Sequence, residues 1–409
     1  MPPSDSTSQR SSDTNELIDP KALIERLGID ALNRNSDDYY KRQPNLDYLL
    51  GKPVANGLHT AQLLVRLGLI IENMRLGRGM KILDFGAGTC WIAKSFWQMG
   101  CSVVATDVSE EALKLGRRLF EEFPVPAKPP CNWETRLFDG KAIPLADEEA
   151  DRIVCFDTFH HVPNQKTVIQ EFYRVLRYGG CIALNEPLGP HSSTPDSQNE
   201  MRKYGVLEND LNMEALRDAF MDAGFESPIF KVAATPEYSL DFEEWLQCRE
   251  GQAPPSMMDA IKNFQRNSGV FFFQKGPILS DSRQGEGLSH NLSCDDRPRK
   301  MTVGKPQPFA VSVRNTGSAR WLNQNEQHFG VVHIASRLLD FETRELVIDN
   351  SRFRIPEQIE PGEAFEGEIP IAPKKPGRYW LKLDLVAERV CWFESLGSEP
   401  IWIEVDVEP

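Results

Sequence analysis

Between residues 81 and 186 the chain alternates short apolar runs with stretches of helical periodicity, and that alternation constrains the fold more than any other feature. KILDF (81–85), SVVATD (102–107), 133–138, RIVCF (152–156) and CIALNE (181–186) read as strands. Residues 90–99, the stretch from Ser109 to about 122, and 166–176 read as helices. Runs this apolar leave no face for water, so they belong inside a parallel sheet covered by helices on both sides. Two further strand-like runs, 228–233 and 270–275, bring the expected sheet to seven strands. The expected architecture is α/β, with a doubly wound, mostly parallel sheet. Upstream, 58–74 places apolar side chains at helical spacing and 19–27 suits a short helix, whereas 33–50 is polar and aromatic without an assigned element. Helices are also expected at 212–223, 241–249 and 257–264.

The flanks have a different texture. Residues 1–17 are polar, with neither an early basic region nor an apolar run, and read as a disordered lead rather than a secretory signal. Residues 18–276 then form the α/β domain with an N-terminal helical cap. Residues 277–300, rich in Gly, Ser and charge, read as a linker. From 301 to 409, FAVSVRNTG, FGVVHIAS, AFEGEIPI, RYWLKLDLVA and IWIEVDV are short strands bounded by turn signals, which suggests an antiparallel β-sandwich. No run of eighteen or more apolar residues is present, so no transmembrane segment is expected. A formal net charge of −14, with no clustered Lys/Arg tract, argues against nucleic acid as a partner. The eight cysteines are scattered without a CxxC pair, several inside apolar runs, which points to a reducing cytoplasm rather than to disulfides or zinc.

The chemistry is carried by Leu83-Asp84-Phe85-Gly86-Ala87-Gly88-Thr89-Cys90, between the first strand and its helix. Glycines there let the backbone turn sharply and approach a ligand. Asp107 follows at the end of the second strand, 21 positions after Gly86, where a carboxylate can accept both hydroxyls of a ribose. A dinucleotide fingerprint would need a small residue where Trp91 stands, and a phosphate loop would need Gly-Lys-Ser/Thr, which is missing. A ligand with ribose and adenine but no phosphate meets neither obstacle. S-adenosylmethionine is such a ligand.

These residues resemble class I S-adenosylmethionine-dependent methyltransferases, especially those acting on small molecules and sugars, over residues 81–186. Asp84, Gly86 and Gly88 match the first motif, Asp107 the ribose ligand with Val108 beside adenine, and Asp139-Gly140 the acidic position near the adenine amino group. The fourth-strand motif matches from Asp151 through Asp157, His160 and His161, and the helix end before the fifth strand matches Arg174 to Gly180. The resemblance implies a Rossmann-like fold, S-adenosylmethionine as cofactor, and Asp84, Gly86, Ala87, Gly88, Asp107, Val108, Asp139, Gly140 and Asp157 around it. Plainer readings stand beside these. The glycines could only shape a tight turn, Asp107 could cap the next helix, Asp139-Gly140 could be an ordinary turn, and Asp157 could merely orient its loop.

A sulfonium methyl needs chiefly an in-line nucleophile, but a sugar hydroxyl also benefits from a base. His160 and His161, at the end of the fourth strand, are the candidate bases, with hydrogen bonding to the backbone as the structural alternative. His191 and Glu186 are weaker candidates, and Tyr39-Tyr40 either belong to a lid over the cofactor or pack in a core. No metal site is expected, because the histidines have no partner at ligand spacing in the sequence.

Residues 303–407 resemble the immunoglobulin-like modules of bacterial polysaccharide-assembly enzymes, on Val313-Arg314-Asn315-Thr316-Gly317 with Trp321, Pro361-Gly362-Glu363, Pro376-Gly377-Arg378-Tyr379, and Trp392-Phe393. Tyr379 resembles a tyrosine-corner residue. Trp321, Trp380, Trp392 and Trp402 either fill the core or stack on sugars. The expected activity is O-methylation of a sugar hydroxyl in surface glycan or glycolipid synthesis. The alternatives are methylation of another small metabolite or lipid, or a non-catalytic glycan-binding scaffold. Expected partners are a small-molecule or glycan acceptor and, through the C-terminal module, a docking protein or a second copy.

Overall fold

The computed structural model describes residues 17–54, 57–123, 131–231, 239–294, 300–325 and 327–409, so the polar lead falls, but for Leu17, outside the described residues. The first half runs α1 (Pro20–Leu27), α2 (Ile29–Lys41), α3 (Leu46–Leu50), α4 (Thr60–Met74), β1 (Lys81–Phe85), α5 (Trp91–Gln98), β2 (Ser102–Asp107) and α6 (Glu110–Glu122). It continues through β3 (Trp133–Leu137), β4 (Ala150–Phe156), α7 (Gln165–Val175), β5 (Leu176–Pro187), α8 (Pro195–Tyr204), α9 (Met213–Asp222), β6 (Ile229–Lys231), α10 (Phe242–Arg249), α11 (Pro255–Asn267) and β7 (Ser268–Gln274). Local chemistry sets several boundaries. Ser109 Oγ accepts from the Ala112 N–H at the start of α6, and Asn212 does the same for Ala215 at α9.

The seven strands form one Rossmann-like sheet in the order β3-β2-β1-β4-β5-β7-β6. Strands β1 to β5 are parallel, and β7 runs antiparallel to both β5 and β6, so the sheet is mixed at one edge. β2 and β4 are buried along their whole length, as expected for strands with helices on both faces. Chain order reverses across β1 and β4, which opens a crevice at the carboxyl ends of those strands.

The second half is all-β: β8 (His290–Cys294), β9 (Lys300–Thr302), β10 (Gln307–Asn315), β11 (Val332–Asp340), β12 (Leu346–Arg354), β13 (Ala364–Ile371), β14 (Gly377–Ala387), β15 (Cys391–Trp392) and β16 (Ile401–Glu408). One sheet has the order β13-β10-β8 and the other β12-β11-β14-β16-β9, with β15 paired to β14. Phe309, Val311 and Val313 of the first sheet share one core with Leu381, Leu383 and Leu385 of the second. Trp321 lies fully inside that core. Tyr379 donates its hydroxyl to the Pro376 carbonyl at 2.9 Å, fastening the start of β14. Arginines cover the indole of Trp392, with Arg337 3.5 Å and Arg352 4.8 Å from its ring centre.

The stretch read as a linker is not loose. It contains β8, and its Leu288, Asp281, Ser282 and Arg283 are buried, while 295–299 lie outside the described residues. The Arg283 guanidinium bonds both oxygens of Asp151, at 3.0 and 2.7 Å, and also Asp281. Asp151 stands near the start of β4 and accepts as well from the Lys81 N–H and from Arg177. Burial alone would push its pKa up, but the Arg283 and Arg177 cations win and hold it below the ordinary carboxylate range. Polar composition mimicked a tether here because the buried charges of Asp281 and Arg283 are paired. Among the described residues, no helix is long and apolar enough to cross a membrane.

Arg283→Ala leaves a buried carboxylate short of its main partner, so unfolding in urea is expected to show a loss of about 3–5 kcal/mol. A loss below 1 kcal/mol would mean that the pair does not hold the two halves together.

Candidate active site

A cavity of about 260 Å³ lies in the crevice at the carboxyl ends of the strands. Its floor is built by Phe85 and Gly86 after β1, Asp107 and Val108 after β2, Phe138 and Gly140 after β3, and Asp157 and Thr158 after β4. Its roof comes from α2 and α3 through Leu32, Asn33, Ser36, Tyr39, Tyr40 and Leu49, and a polar side wall from His161, Glu200 and Glu208.

On the floor, Asp107 is the organising group. One carboxylate oxygen accepts the Gly88 N–H and the other the Ser109 N–H, each at 2.8 Å. An ionised carboxylate offers about four acceptor sites, so capacity remains on the cavity side for two hydroxyls. Asp107 does not cap α6; Ser109 does. Gly86 has φ +65°, and a Cβ on it would fall 1.8 Å from Thr158 Oγ1, so no side chain fits between these two loops. At Gly88, the Tyr40 hydroxyl occupies the space a methyl would need. Tyr40 thus closes over the glycine turn, and Tyr39 packs edge-on between Tyr40 and Tyr204 on the cavity wall.

Several expected cofactor residues stand elsewhere. Asp84 does not line the cavity. It is buried beneath the turn and accepts the Ala93 N–H in the first turn of α5, with burial pushing its pKa up to about 7. Ala87 spends its N–H on the Thr106 carbonyl and lies off the lining, and Gly88 reaches the site only through Asp107 and Tyr40. Asp139 is exposed and folds back on the Lys141 and Ala142 N–H groups as in an ordinary turn, while Gly140 borders the cavity. Gly86, Val108, Gly140, Asp157 and His161 line the cavity together with Asp107.

The two histidines separate. His160 is buried off the cavity, its Nδ1 2.7 Å from Glu186 Oε2, and burial drives its pKa well below the usual value. Glu186, fully buried at the end of β5, also accepts the backbone N–H groups of Thr158, Phe159 and His160. Burial pushes its pKa up to about 7 against the pull of those donors. His161 faces the cavity and sets its Nδ1 2.5 Å from the Leu207 carbonyl. A carbonyl only accepts, so Nδ1 carries the proton and Nε2 keeps a free lone pair. Asp157, at φ +51°, is steadied by Asn185, whose side-chain amide donates to it at 2.9 Å. Its pKa is raised to about 6, first by burial and then by the charge of Glu186.

Glu208, between α8 and α9, was not anticipated. It receives His191 Nε2 at 2.8 Å and stands 3.7 Å from His160 Nε2 and 3.6 Å from His161 Nδ1. In space Glu208, 47 positions after His161, lies beside both histidines, a nearness that spacing along the sequence does not show. Helix α2 was also missed. Leu32, Ser36, Tyr39 and Tyr40 lie on one helical face, a spacing visible in the sequence but disguised by polar residues that face a cavity instead of a core.

Residues 83–184 match the methyltransferase domain family. Methyltransferase GfsG of Streptomyces halstedii is 29% identical over 119 residues, 28% of this chain and 40% of that protein. The ubiquinone biosynthesis O-methyltransferase of Idiomarina loihiensis is 30% identical over 125 residues, 29% of this chain and 46% of its own length. The ubiquinone/menaquinone biosynthesis C-methyltransferase UbiE of Coxiella burnetii is 27% identical over 180 residues, 38% of this chain and 70% of its length. The first two alignments thus span less than half of those relatives. The structure of geranyl diphosphate C-methyltransferase from Streptomyces coelicolor, holding Mg2+, geranyl diphosphate and S-adenosyl-L-homocysteine, superposes with a TM-score of 0.40 and 12% identity, over 59% of this chain and 96% of that one. The matched segment supplies the floor and His161; α2, Glu186, Glu200 and Glu208 lie outside it.

Because the folded pKa of Asp84 is raised from 3.8 to about 7, its favourable contribution is complete below pH 3.8 and fades as pH climbs through 7. Asp84→Asn removes that dependence. Urea titrations of the two proteins at a series of pH values should show the variant gaining on the wild type from pH 4 to 7, and a constant gap would refute the raised pKa.

Proposed function

We propose that this chain is an S-adenosylmethionine-dependent methyltransferase whose acceptor presents an oxygen nucleophile. The observation that carries this reading is Asp107, held by two backbone N–H groups and facing the cavity at the point where strand order reverses. The methyltransferase match over 83–184 supports it. Asp107 is placed to take the ribose hydroxyls, Gly86 to admit the ligand against bare backbone, and Val108 and Phe138 to pack on adenine. When bound, S-adenosylmethionine supplies a methyl group on a positively charged sulfur.

The acceptor lies against the polar wall. His161 Nε2, its tautomer set by the Leu207 carbonyl, is the position for a base that takes the hydroxyl proton, and His160 only shapes the loop. A sugar hydroxyl, on a glycolipid or surface glycan precursor, suits the carboxylates of Asp157, Glu200 and Glu208, which accept hydrogen bonds from neighbouring hydroxyls. A lipid-like or quinone-like acceptor is the second reading, favoured by Leu32, Leu49, Val206 and Leu207 on the same walls.

Immunoglobulin-like character and docking or self-association belong to the all-β region in this proposal. The covered face of Trp392 makes that indole a poor sugar platform. None of the eight cysteines forms a disulfide, which supports the cytoplasm as the working compartment.

Calorimetry with S-adenosylmethionine tests the cofactor site. Asp107→Ala should weaken binding by about 1–3 kcal/mol, the cost of losing hydrogen bonds to a charged acceptor. Equal affinity in variant and wild type would remove Asp107 from the ribose site.

A further inference from the structure

We propose that His160, His161 and Glu208 hold a divalent transition-metal cation in the side wall of the cavity. One ring nitrogen from each histidine and an oxygen of Glu208 all lie within 4.8 Å of one another, close enough for a single ion to gather them with small side-chain movements.

The surroundings are those of ligands. A histidine that binds a metal usually donates its other ring N–H to a carboxylate or a backbone carbonyl, which fixes the tautomer and leaves the ligating nitrogen bare. His160 does this with Glu186 at 2.7 Å, and His161 with the Leu207 carbonyl at 2.5 Å. His160 thereby keeps Nε2 as a free lone pair on the Glu208 side, and His161 comes within 3.6 Å of Glu208 Oε1 at its Nδ1 edge. Glu208 is oriented in turn by His191 Nε2 at 2.8 Å. His160 Nε2 and Glu208 Oε2 face each other at 3.7 Å as two acceptors.

Charge points the same way. Asp107, Asp157, Glu200 and Glu208 line the cavity with Lys52, and Arg66 acts on Asp157 from nearby. Two imidazoles and one carboxylate favour Zn2+, Co2+ or Fe2+ over Mg2+ or Ca2+, which prefer all-oxygen sets. His161 and Glu208 border the cavity, so the remaining coordination positions open toward the acceptor and can take its oxygen. The role of the ion rests on the methyl-transfer reading; its presence does not. The base role of His161 belongs to the metal-free chain; with the ion bound, the ion replaces it by lowering the pKa of the acceptor hydroxyl, whose proton then passes to solvent.

The test uses the full chain, stripped with a chelator, dialysed and titrated with Co2+ while visible absorption is followed. One Co2+ per chain, with ligand-field bands, is expected. His161→Asn and Glu208→Gln should each abolish those bands, and His191→Asn, which only disorients Glu208, should weaken binding about 10- to 100-fold. Unfolding midpoints matching the wild type show that the variants are folded. Absence of stoichiometric Co2+, or Co2+ bound equally well by the His161→Asn and Glu208→Gln variants, overturns the site. Calorimetry with S-adenosylmethionine separates the two proposals. Co2+ bound by a chain that ignores S-adenosylmethionine leaves the metal site standing and removes its catalytic role. S-adenosylmethionine bound by a chain that ignores Co2+ removes the metal site alone.

Discussion

The carboxylate of Glu186 holds the functional end of the sheet together. It sits fully buried at the tip of β5 and gathers the N–H groups of Thr158, Phe159 and His160 together with His160 Nδ1. A buried carboxyl group is costly unless its oxygens are hydrogen-bonded, and here four partners reach them. The loop after β4 is thereby bound to the neighbouring strand, with consequences on both sides. Thr158 stands so close to Gly86 that the first βα turn must be bare backbone. His160 turns inward, which leaves His161 as the histidine facing the cavity.

The cavity is closed by a helix that the matched family segment does not contain. Helix α2 is anchored by polar groups along its length: Asn33 donates to the Asp139 carbonyl, Asn35 to the Gly205 carbonyl, and Asp37 accepts from Ser109 Oγ and the Glu111 N–H. One helix thus touches the loops after β2 and β3 and the segment leading to Glu208. The floor of the cavity and its polar wall are tied to the same roof.

The all-β half meets the opposite rim. Arg283 pairs with Asp151 near the start of β4, and Gln327 donates to Ser102 at the start of β2. Both contacts are at the amino ends of strands, away from the cavity at the carboxyl ends. Docking there leaves the crevice free. The buried Arg283–Asp151 pair also explains why a run of Gly, Ser and charge could look like a tether: composition records polarity, and only packing records whether that polarity is paired.

Alternating apolar runs, the glycine turn and Asp107 made the Rossmann-like sheet and the floor of the crevice legible in the sequence, because strand burial and βα-turn geometry are local demands on consecutive residues. Asp84 and Asp139 misled for the same reason. They occupy motif positions, but neither lines the cavity: Asp84 lies beneath the turn on the Ala93 N–H, and Asp139 folds back on Lys141 and Ala142. What tertiary structure alone decided was which of two adjacent histidines faces the cavity, that α2 forms its roof, and that Glu208 joins them. Those relations join residues far apart in the chain, and no local periodicity encodes a meeting that depends on how the whole sheet is wound.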